Sequence, residues 1–217
     1  MLPQASQEAP CRLQVAPSFV FDPRVLCRPG TVLLDTARPN AENCAAWCFS
    51  APRRVLTAET PADIPALVEA LENATDDGAY VAGYLSYEAG YSFLDLDVQP
   101  ATEDPVAWFG VYERPRRLAS VEVELGLSTL DRSPAVKDVA LSVSRATYTK
   151  AIERIRRHIG RGDVYQINYT APVRFRAPED PRGLYRHLRR RQRVPYGAYL
   201  NLGRRQILSC SPELFFR

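Results

Sequence analysis

A carboxylate beside a rigid turn is the residue of this chain best suited to chemistry. Glu213 follows Ser211 and Pro212, at the end of an apolar run that contains Ile207 and Leu208. Because proline fixes its own backbone torsion, the next carboxylate is presented in a defined position at the end of that strand. A carboxyl group held in this way can act as a general acid or base. Taken alone, the same residue also fits an ordinary surface turn.

A second motif, which follows a long amphipathic segment, consists of Gly162 and the polar residues Asp163, Gln166 and Asn168. Glycine suits the left-handed conformation that often ends a helix. In an extended strand Gln166 and Asn168 fall on one face, because side chains alternate with a period of two. A pair of buried amides can hold neighbouring loops by hydrogen bonds. We therefore favour a scaffold role for this motif over contact with a substrate.

Several common kinds of site are absent from the sequence. It contains no P-loop, no GxGxxG, no HExxH and no GxSxG motif. His158 and His187, the two histidines, lie beside arginines in predicted helices, where we expect them to be solvated. The five cysteines are odd in number and lack CxxC spacing, which favours reduced thiols over a disulfide framework or a zinc site.

The charge balance argues against nucleic acid as a partner. The chain has 28 basic and 25 acidic residues and a formal charge of +3, too little for a strong field. The arginine-rich stretch 182–193 has no aromatic stacking platform, so nucleic-acid binding is a weak alternative. No apolar run reaches the length of a membrane helix, and the first ten residues do not resemble a secretory signal. We expect a cytoplasmic protein that does not bind membranes.

The elements that must position these residues are mostly strands. TVLLDTA (31–37) and AWCFS are apolar runs that we expect to pair. AYVAGYLSYEAGY (79–91) predicts a strand that enters a tight bend. Further strands are predicted over residues 106–114, 120–127 and 164–175, and a hairpin over 196–202 and 206–211.

Three segments have helical periodicity. Residues 61–74 predict an amphipathic surface helix. In the helix predicted over 144–159, the apolar face consists of Tyr148, Ile152, Ile155 and Ile159, and we expect it to pack on an antiparallel sheet. Gly160 and Gly162 should end this helix. The helix predicted over 180–193 should turn Leu184 and Leu188 inward and its arginines outward.

The expected fold class is therefore α+β, with antiparallel sheets and helices packed outside. Residues 1–17 contain three prolines and lack periodicity, which predicts a loose tail. Residues 18–217 should form the folded part.

Four segments together resemble the chorismate-utilising family, which includes component I of anthranilate synthase, component I of aminodeoxychorismate synthase, and the isochorismate and salicylate synthases. They are LLDTARP (33–39), GYLSYEAGY (83–91), GDVYQINYT (162–170) and AYLNLGRRQILSCSPELFFR (198–217). The resemblance extends from about Val32 to the end of the chain and is weak over 92–145. It implies the amino-terminal half of the anthranilate synthase component I-like fold, incomplete at its carboxyl end.

Three segments, LLDTARP, GYLSYEAGY and ILSCSPELFF, are more similar in sequence to the aminodeoxychorismate branch than to the anthranilate branch. The resemblance then implies conversion of chorismate and ammonia to 4-amino-4-deoxychorismate, for para-aminobenzoate and folate synthesis. It also implies a glutamine amidotransferase partner that supplies the ammonia. The family assigns the acid/base role on the departing hydroxyl to the glutamate that matches Glu213. Anthranilate synthesis, and a non-catalytic interaction module, are the alternatives.

The resemblance also implies a pocket for tryptophan at Leu34, Asp35, Thr36, Pro195 and Tyr196. After Glu-Asn, relatives often read Arg-Ser-Tyr, whereas this chain reads Cys-Ala-Ala-Trp-Cys. We therefore expect that its own side chains fill the pocket in place of a ligand.

Magnesium is the cofactor that the resemblance implies for the whole family member. The family's sequence continues past SPELF to a Lys-Gly-Thr segment and then to glutamates that bind the metal. None of these lies within the 217 residues, so the chain by itself is expected to be inactive.

Overall fold

The computed structural model describes residues 21–41, 43–94, 104–130 and 136–215. The chain divides into two compact units, which we call the larger unit (Met1–Arg132 with Arg182–Arg217) and the smaller unit (Ser133–Pro181). The predicted tail over residues 1–17 lies outside the described residues. Within the described ranges, no helix is long and apolar enough to cross a membrane.

The described residues form ten strands and four α-helices. The strands are β1 (Thr31–Asp35), β2 (Ala46–Phe49), β3 (Arg54–Ala58), β4 (Tyr80–Leu85), β5 (Ala107–Tyr112), β6 (Arg116–Leu118), β7 (Lys137–Leu141), β8 (Val173–Arg176), β9 (Tyr196–Asn201) and β10 (Gln206–Ser211). The helices are α1 (Ile64–Asp76), α2 (Ser120–Leu127), α3 (Arg145–Arg161) and α4 (Pro181–Arg191).

The larger unit contains two antiparallel sheets, with strand orders β10-β9-β1-β2-β6 and β3-β5-β4. In the five-stranded sheet, Val32 of β1 lies opposite Phe49 of β2 on one side and Leu200 of β9 on the other. The predicted pairing of the first two strands is confirmed, as is the hairpin of β9 and β10. Helices combined with antiparallel sheets confirm the α+β class.

The central strand β1 is buried on both faces. Leu33 belongs to a core cluster with Leu118 and Tyr185, whereas its neighbour Val32 belongs to a second cluster with Trp108. Because neighbouring side chains of a strand point to opposite faces, the two clusters lie on opposite sides of β1. This explains why TVLLDTA is an almost continuous apolar run.

The amphipathic helix predicted over 61–74 is confirmed as α1. Ile64, Leu67 and Ala74 are its buried residues, at the spacing of one helical face. The carboxylate of Asp63 accepts hydrogen bonds from the backbone N–H and the hydroxyl of Thr60, at 2.8 and 2.9 Å, and so orders the turn before the helix. The bend predicted after β4 is also present, as a 3-10 segment over Tyr87–Phe93.

The strand predicted over 120–127 is wrong, because this segment is the helix α2. Its buried residues are Val123, Gly126 and Leu127, which share a helical face. A Cβ at Gly126 would lie 2.1 Å from the carbonyl oxygen of Phe21, so only glycine permits this packing. Contact with Phe21, together with a carboxylate of Glu122 that accepts from the Ala119 N–H at 2.7 Å, outweighs the alternating pattern.

The helix predicted over 180–193 forms as α4, but its inward face differs from the prediction. Tyr185, Arg186 and Arg189 are buried, whereas Leu184 and Leu188 are only half-buried. Arginine lies inside because buried oxygen atoms accept its hydrogen bonds: Arg186 donates to the carbonyl of Leu130, and Arg189 donates to the carboxylate of Asp35.

The smaller unit consists of α3 and the antiparallel pair β7-β8. Ser144 caps the start of α3, where its hydroxyl accepts from the Thr147 N–H at 3.1 Å, and Gly162 ends it in the left-handed conformation at φ 78°. Gly160 lies inside the helix. The strand predicted over 164–175 is wrong for most of its length, because of these residues only those in β8 (Val173–Arg176) belong to a strand.

The apolar face of α3 is not buried. Tyr148 is 45% exposed and Ile159 is 42% exposed, while Ile152 and Ile155 are half-buried. None of the described residues 136–181 is buried. The prediction that this face packs fully on an antiparallel sheet is therefore wrong for this chain.

Candidate functional site

A cavity of about 630 Å³ lies in the larger unit, and residues of both sheets line it. Five aromatic residues contribute to its walls: Trp47 from β2, Tyr84 from β4, Phe109 from β5, Tyr196 from β9 and Phe215 from the segment after β10. The hydroxyl of Tyr84 donates to the carbonyl of Pro105 at 2.7 Å, which fixes that ring. The cavity can therefore accept a flat, apolar molecule.

Glycine is required where the cavity meets β4. Gly83 lines the cavity, and a Cβ there would lie 1.9 Å from the carbonyl oxygen of Trp108 on the neighbouring strand. This close approach explains one glycine of the GYLSYEAGY segment.

The structure brings the predicted tryptophan-pocket residues together where β1 meets β9. Leu34, Asp35 and Tyr196 line the cavity. Thr36 and Pro195, their neighbours along the chain, are buried. Asp35 lies opposite Gly197 across these two strands. The expectation that the chain's own side chains fill this pocket is wrong, since the cavity is open and Trp47 forms part of its wall.

The carboxylate of Asp35 points away from the cavity. It accepts from Nε of Arg189 at 2.6 Å and from the hydroxyl of Tyr185 at 2.9 Å. Because neighbouring residues of a strand face opposite ways, Leu34 extends towards the cavity and Asp35 towards α4. Burial and the adjacent Asp35 raise the pKa of Tyr185 well above its ordinary value, which keeps the phenol neutral as a donor.

Sequence analysis missed the partners of this carboxylate. Arg189 donates to Glu124 and to the hydroxyl of Ser120 as well as to Asp35, and so joins α4, α2 and β1. A signal was present in the sequence: an aspartate inside an apolar strand needs a cation nearby, because an unpaired buried charge is costly. The arginine-rich segment 182–193 supplies that cation.

Glu213 lies at the same cavity, on the turn that follows β10. The hydroxyl of Ser211 donates to the Glu213 carbonyl at 2.7 Å and accepts from the Glu213 N–H at 3.2 Å. The side chain of Glu213 is exposed, and Leu214 and Phe215 line the cavity beside it. The turn thus holds the backbone of the glutamate while its carboxylate stays accessible.

The lining of the cavity carries no positive charge. Among the described residues that line it, none is arginine, lysine or histidine. Of its two acidic lining residues, Asp35 directs its carboxylate to Arg189, away from the cavity, which leaves Glu213 as the accessible acid. An electrostatically neutral or cationic molecule is therefore favoured over a dianion within this cavity.

The scaffold motif belongs to the smaller unit. Gly162 caps α3, and a carboxylate oxygen of Asp163 lies 2.9 Å from Nδ1 of His158. The amide of Gln166 donates to the amide oxygen of Asn168 at 3.0 Å. Both amides are exposed and outside any strand. The bond between them is the contact through which the motif could order its own segment.

A ligand set for magnesium is not found in the described part of the chain. Within residues 21–41, 43–94, 104–130 and 136–215, no group of three or more histidine, cysteine, aspartate or glutamate side chains could hold a metal ion. These residues therefore do not fit the metal that the resemblance implies.

Comparison with known proteins identifies relatives from two branches. The chain is 33% identical over 150 residues to an aminodeoxychorismate synthase of Streptomyces pristinaespiralis, covering 65% of this chain and 21% of that protein. It is 26% identical over 154 residues to anthranilate synthase component 1 of Methanothermobacter thermautotrophicus, covering 63% of this chain and 33% of that protein. Over 153 residues it is 28% identical to the chloroplastic aminodeoxychorismate synthase of Arabidopsis thaliana, covering 69% and 16%.

The chain therefore spans between 16% and 33% of the length of these relatives. A family model described as chorismate binding enzyme matches residues 33–217, which include both the cavity strands and the Ser-Pro-Glu turn. With this match over most of its length, the chain belongs to the chorismate-binding enzyme family.

Proposed function

We propose that this chain acts in aminodeoxychorismate synthesis, as component I, and converts chorismate and ammonia to 4-amino-4-deoxychorismate. The observation that carries the proposal is the position of Glu213, an accessible carboxylate on a turn that is fixed by Ser211. Two of the relatives described above are aminodeoxychorismate synthases, and one of them is 33% identical. Both observations support the proposal.

Glu213 would supply the proton that the reaction needs. Hydroxide is a poor leaving group, so its departure from the ring is assisted when a carboxylic acid protonates it. The hydroxyl then leaves as water and Glu213 is left as the carboxylate. That carboxylate can take up a proton from the nitrogen that has joined the ring, which restores the acid. Ammonia would come from a glutamine amidotransferase partner.

The carboxylates of chorismate must be bound by positively charged groups outside the cavity. Chorismate carries two carboxylates, and the described residues that line the cavity include no cation. The chorismate-binding cations would have to come from residues other than those that line the cavity.

Anthranilate synthesis is the second candidate. It is supported by the 26% identity to anthranilate synthase component 1 over 154 residues. Both reactions begin with chorismate and ammonia and lose the same kind of hydroxyl, so Glu213 would have the same role in each. The two candidates differ in the ring carbon that nitrogen joins and in the fate of the enolpyruvyl side chain, which only anthranilate synthesis must also release, as pyruvate.

The test is a chorismate assay on the longest form of the protein that its gene encodes, with ammonia and magnesium. Mass spectrometry of the product distinguishes the candidates: 4-amino-4-deoxychorismate supports the proposal, and anthranilate supports the alternative. If chorismate is not consumed but a glutamine amidotransferase is bound, the chain is an interaction module and both proposals fail.

We also infer that the cavity takes tryptophan or a similar small aromatic molecule. The five aromatic residues in its walls and its volume of about 630 Å³ support this inference. The hydroxyl of Ser209, which lines the cavity, could donate to a ligand carboxylate. Calorimetric titration with tryptophan tests it.

A further inference from the structure

Ser211 has two simultaneous contacts with the residue that we assign to catalysis. Its Oγ lies 2.7 Å from the carbonyl oxygen of Glu213 and 3.2 Å from the backbone nitrogen of Glu213. One hydroxyl thus accepts from the peptide group that precedes the Glu213 Cα and donates to the one that follows it. Both backbone polar groups of Glu213 are held by a side chain two residues away.

The neighbours of Ser211 leave this turn little other freedom. Ser211 is the last residue of β10 and lies opposite Tyr196 of β9, so its own backbone is fixed by the sheet. Pro212 locks its φ angle between the two residues. The turn is therefore held by the sheet at Ser211, by the ring of Pro212 and by two hydrogen bonds. Together these constraints determine the direction in which the Glu213 side chain leaves the backbone.

We propose that Ser211 is the positioning residue of Glu213: its hydroxyl fixes the backbone of Glu213 and thereby aims the carboxylate. This inference rests on the proposed acid/base role of Glu213. Ser211 itself transfers no proton to the substrate. A misdirected acid loses much of its effect, because proton transfer needs the donor within hydrogen-bonding distance of the leaving oxygen.

Three substitutions test the inference. Ser211→Ala removes the hydroxyl, Ser211→Thr keeps it, and Ser209→Ala removes a hydroxyl that also faces the cavity but lies inside β10. Residue-resolved hydrogen exchange by mass spectrometry reports on the Glu213 N–H. Samples are kept below any concentration at which sedimentation detects self-association.

We expect exchange at the Glu213 N–H to accelerate about 3- to 10-fold in Ser211→Ala, since its acceptor is lost, and to be unchanged in Ser211→Thr and Ser209→Ala. A merely structural role would instead accelerate exchange along β10 and β9. Equal exchange in Ser211→Ala and the unmodified chain would overturn the inference, as would acceleration spread over both strands.

Turnover gives the second readout, in the preparation used for the chorismate assay. The kcat should fall roughly 10-fold in Ser211→Ala with KM little changed, and Ser211→Thr should restore most of it. An unchanged kcat in Ser211→Ala overturns the inference. If the unmodified protein does not consume chorismate, the proposed function fails, while the exchange rates still decide whether Ser211 positions Glu213.

Discussion

Nε of Arg189 lies 2.6 Å from Oδ2 of Asp35, and the two side chains are only 5% and 1% exposed. The same guanidinium donates to the hydroxyl of Ser120 at 3.0 Å and to the carbonyl of Thr36 at 3.3 Å. One arginine of α4 therefore compensates the buried charge of β1 and ties that strand to α2. The strand so fixed also forms a wall of the cavity.

Removal of this arginine should destabilise the larger unit strongly. Arg189→Met leaves the carboxylate of Asp35 buried without its cation, a change that typically costs about 3–5 kcal/mol. Urea unfolding, followed by circular dichroism, measures the loss. Arg190→Met is the matched control: Arg190 is exposed on the same helix, and its substitution should change stability by less than about 0.5 kcal/mol.

The double variant Asp35→Asn/Arg189→Met should recover a large part of that loss, because it removes both charges together. If Arg189→Met is no less stable than Arg190→Met, the buried pair does not stabilise the fold.

Alkaline pH should weaken the fold through Cys48. Burial raises the pKa of the Cys48 thiol from an ordinary value of 9.0 to about 11. The folded state thus favours the neutral thiol, so this contribution to stability is complete below pH 9 and is lost as pH rises through about 11. The free energy of unfolding should fall over that window.

Cys48→Ala should reduce this slope, although it lowers stability at neutral pH by creating a small cavity. Some alkaline loss should remain, because burial also raises the pKa values of Tyr112 and Tyr185. An identical slope in the variant and the unmodified chain would assign the whole loss to the tyrosines.

Substitution of Glu213 should affect turnover and leave the fold intact. Glu213→Gln keeps the shape of the side chain but cannot give up a proton at neutral pH. In a preparation that consumes chorismate, kcat should fall by roughly 10²–10⁴. Thermal unfolding should be unchanged, since the side chain is exposed.

Glu72→Gln, at an exposed position on α1, serves as the control and should retain full activity. Chorismate affinity is measured alongside the rate, which separates lost acid catalysis from lost electrostatic binding. Wild-type turnover in Glu213→Gln would show that Glu213 is only a turn residue.

Tryptophan binding should depend on the free volume of the cavity. Ala198 lines the cavity and lies opposite both Leu34 and Ser209 in the sheet. Ala198→Leu adds three carbons to this wall and should weaken binding at least roughly 10-fold in calorimetry, as expected when a ligand must displace packed atoms. Ala62→Leu, at an exposed position before α1, should bind as the unmodified chain does. Equal affinities would place the ligand elsewhere.

The exposed apolar surface of the smaller unit should cause self-association. Tyr165 is 94% exposed, Val139 is 65% exposed and Phe175 is 44% exposed. Sedimentation velocity at tens of micromolar should detect oligomers or aggregates, as expected for large apolar patches. Tyr165→Ser and Phe175→Ser should reduce them.

Val121→Ser is the corresponding control, because Val121 is 49% exposed on α2 in the larger unit. It should leave the association unchanged. A monodisperse monomer that melts cooperatively would contradict this prediction and would mark the 217 residues as self-sufficient.

The sequence was sufficient for most strands, because their apolar patterns have few alternatives. β1 is a short run rich in apolar residues and β9-β10 is a hairpin closed by Gly203, so both can be assigned from the local sequence. α2 could not be assigned in this way, since Val121, Val123 and Leu125 alternate as in a strand. What decides α2 is contact with Phe21, about a hundred residues earlier in the chain.

The candidate site was predictable in part. The Ser-Pro-Glu turn and the strand at Leu34 were identified from local sequence motifs, and the structure places both at one cavity. The inward arginines of α4 were not, because helical periodicity assigns leucine to the core and arginine to solvent. Tertiary pairing with Asp35 reverses that assignment.

The separation of Asp35 and Arg189 by 154 residues also sets an order for folding during synthesis on the ribosome. β1 and β2 can form a hairpin as soon as they emerge, but the carboxylate of Asp35 then has no guanidinium to receive it. Until α4 and β9 have been translated, this strand must stay hydrated or be bound by a chaperone. Within these 217 residues, the central strand is made well before the segments that complete it.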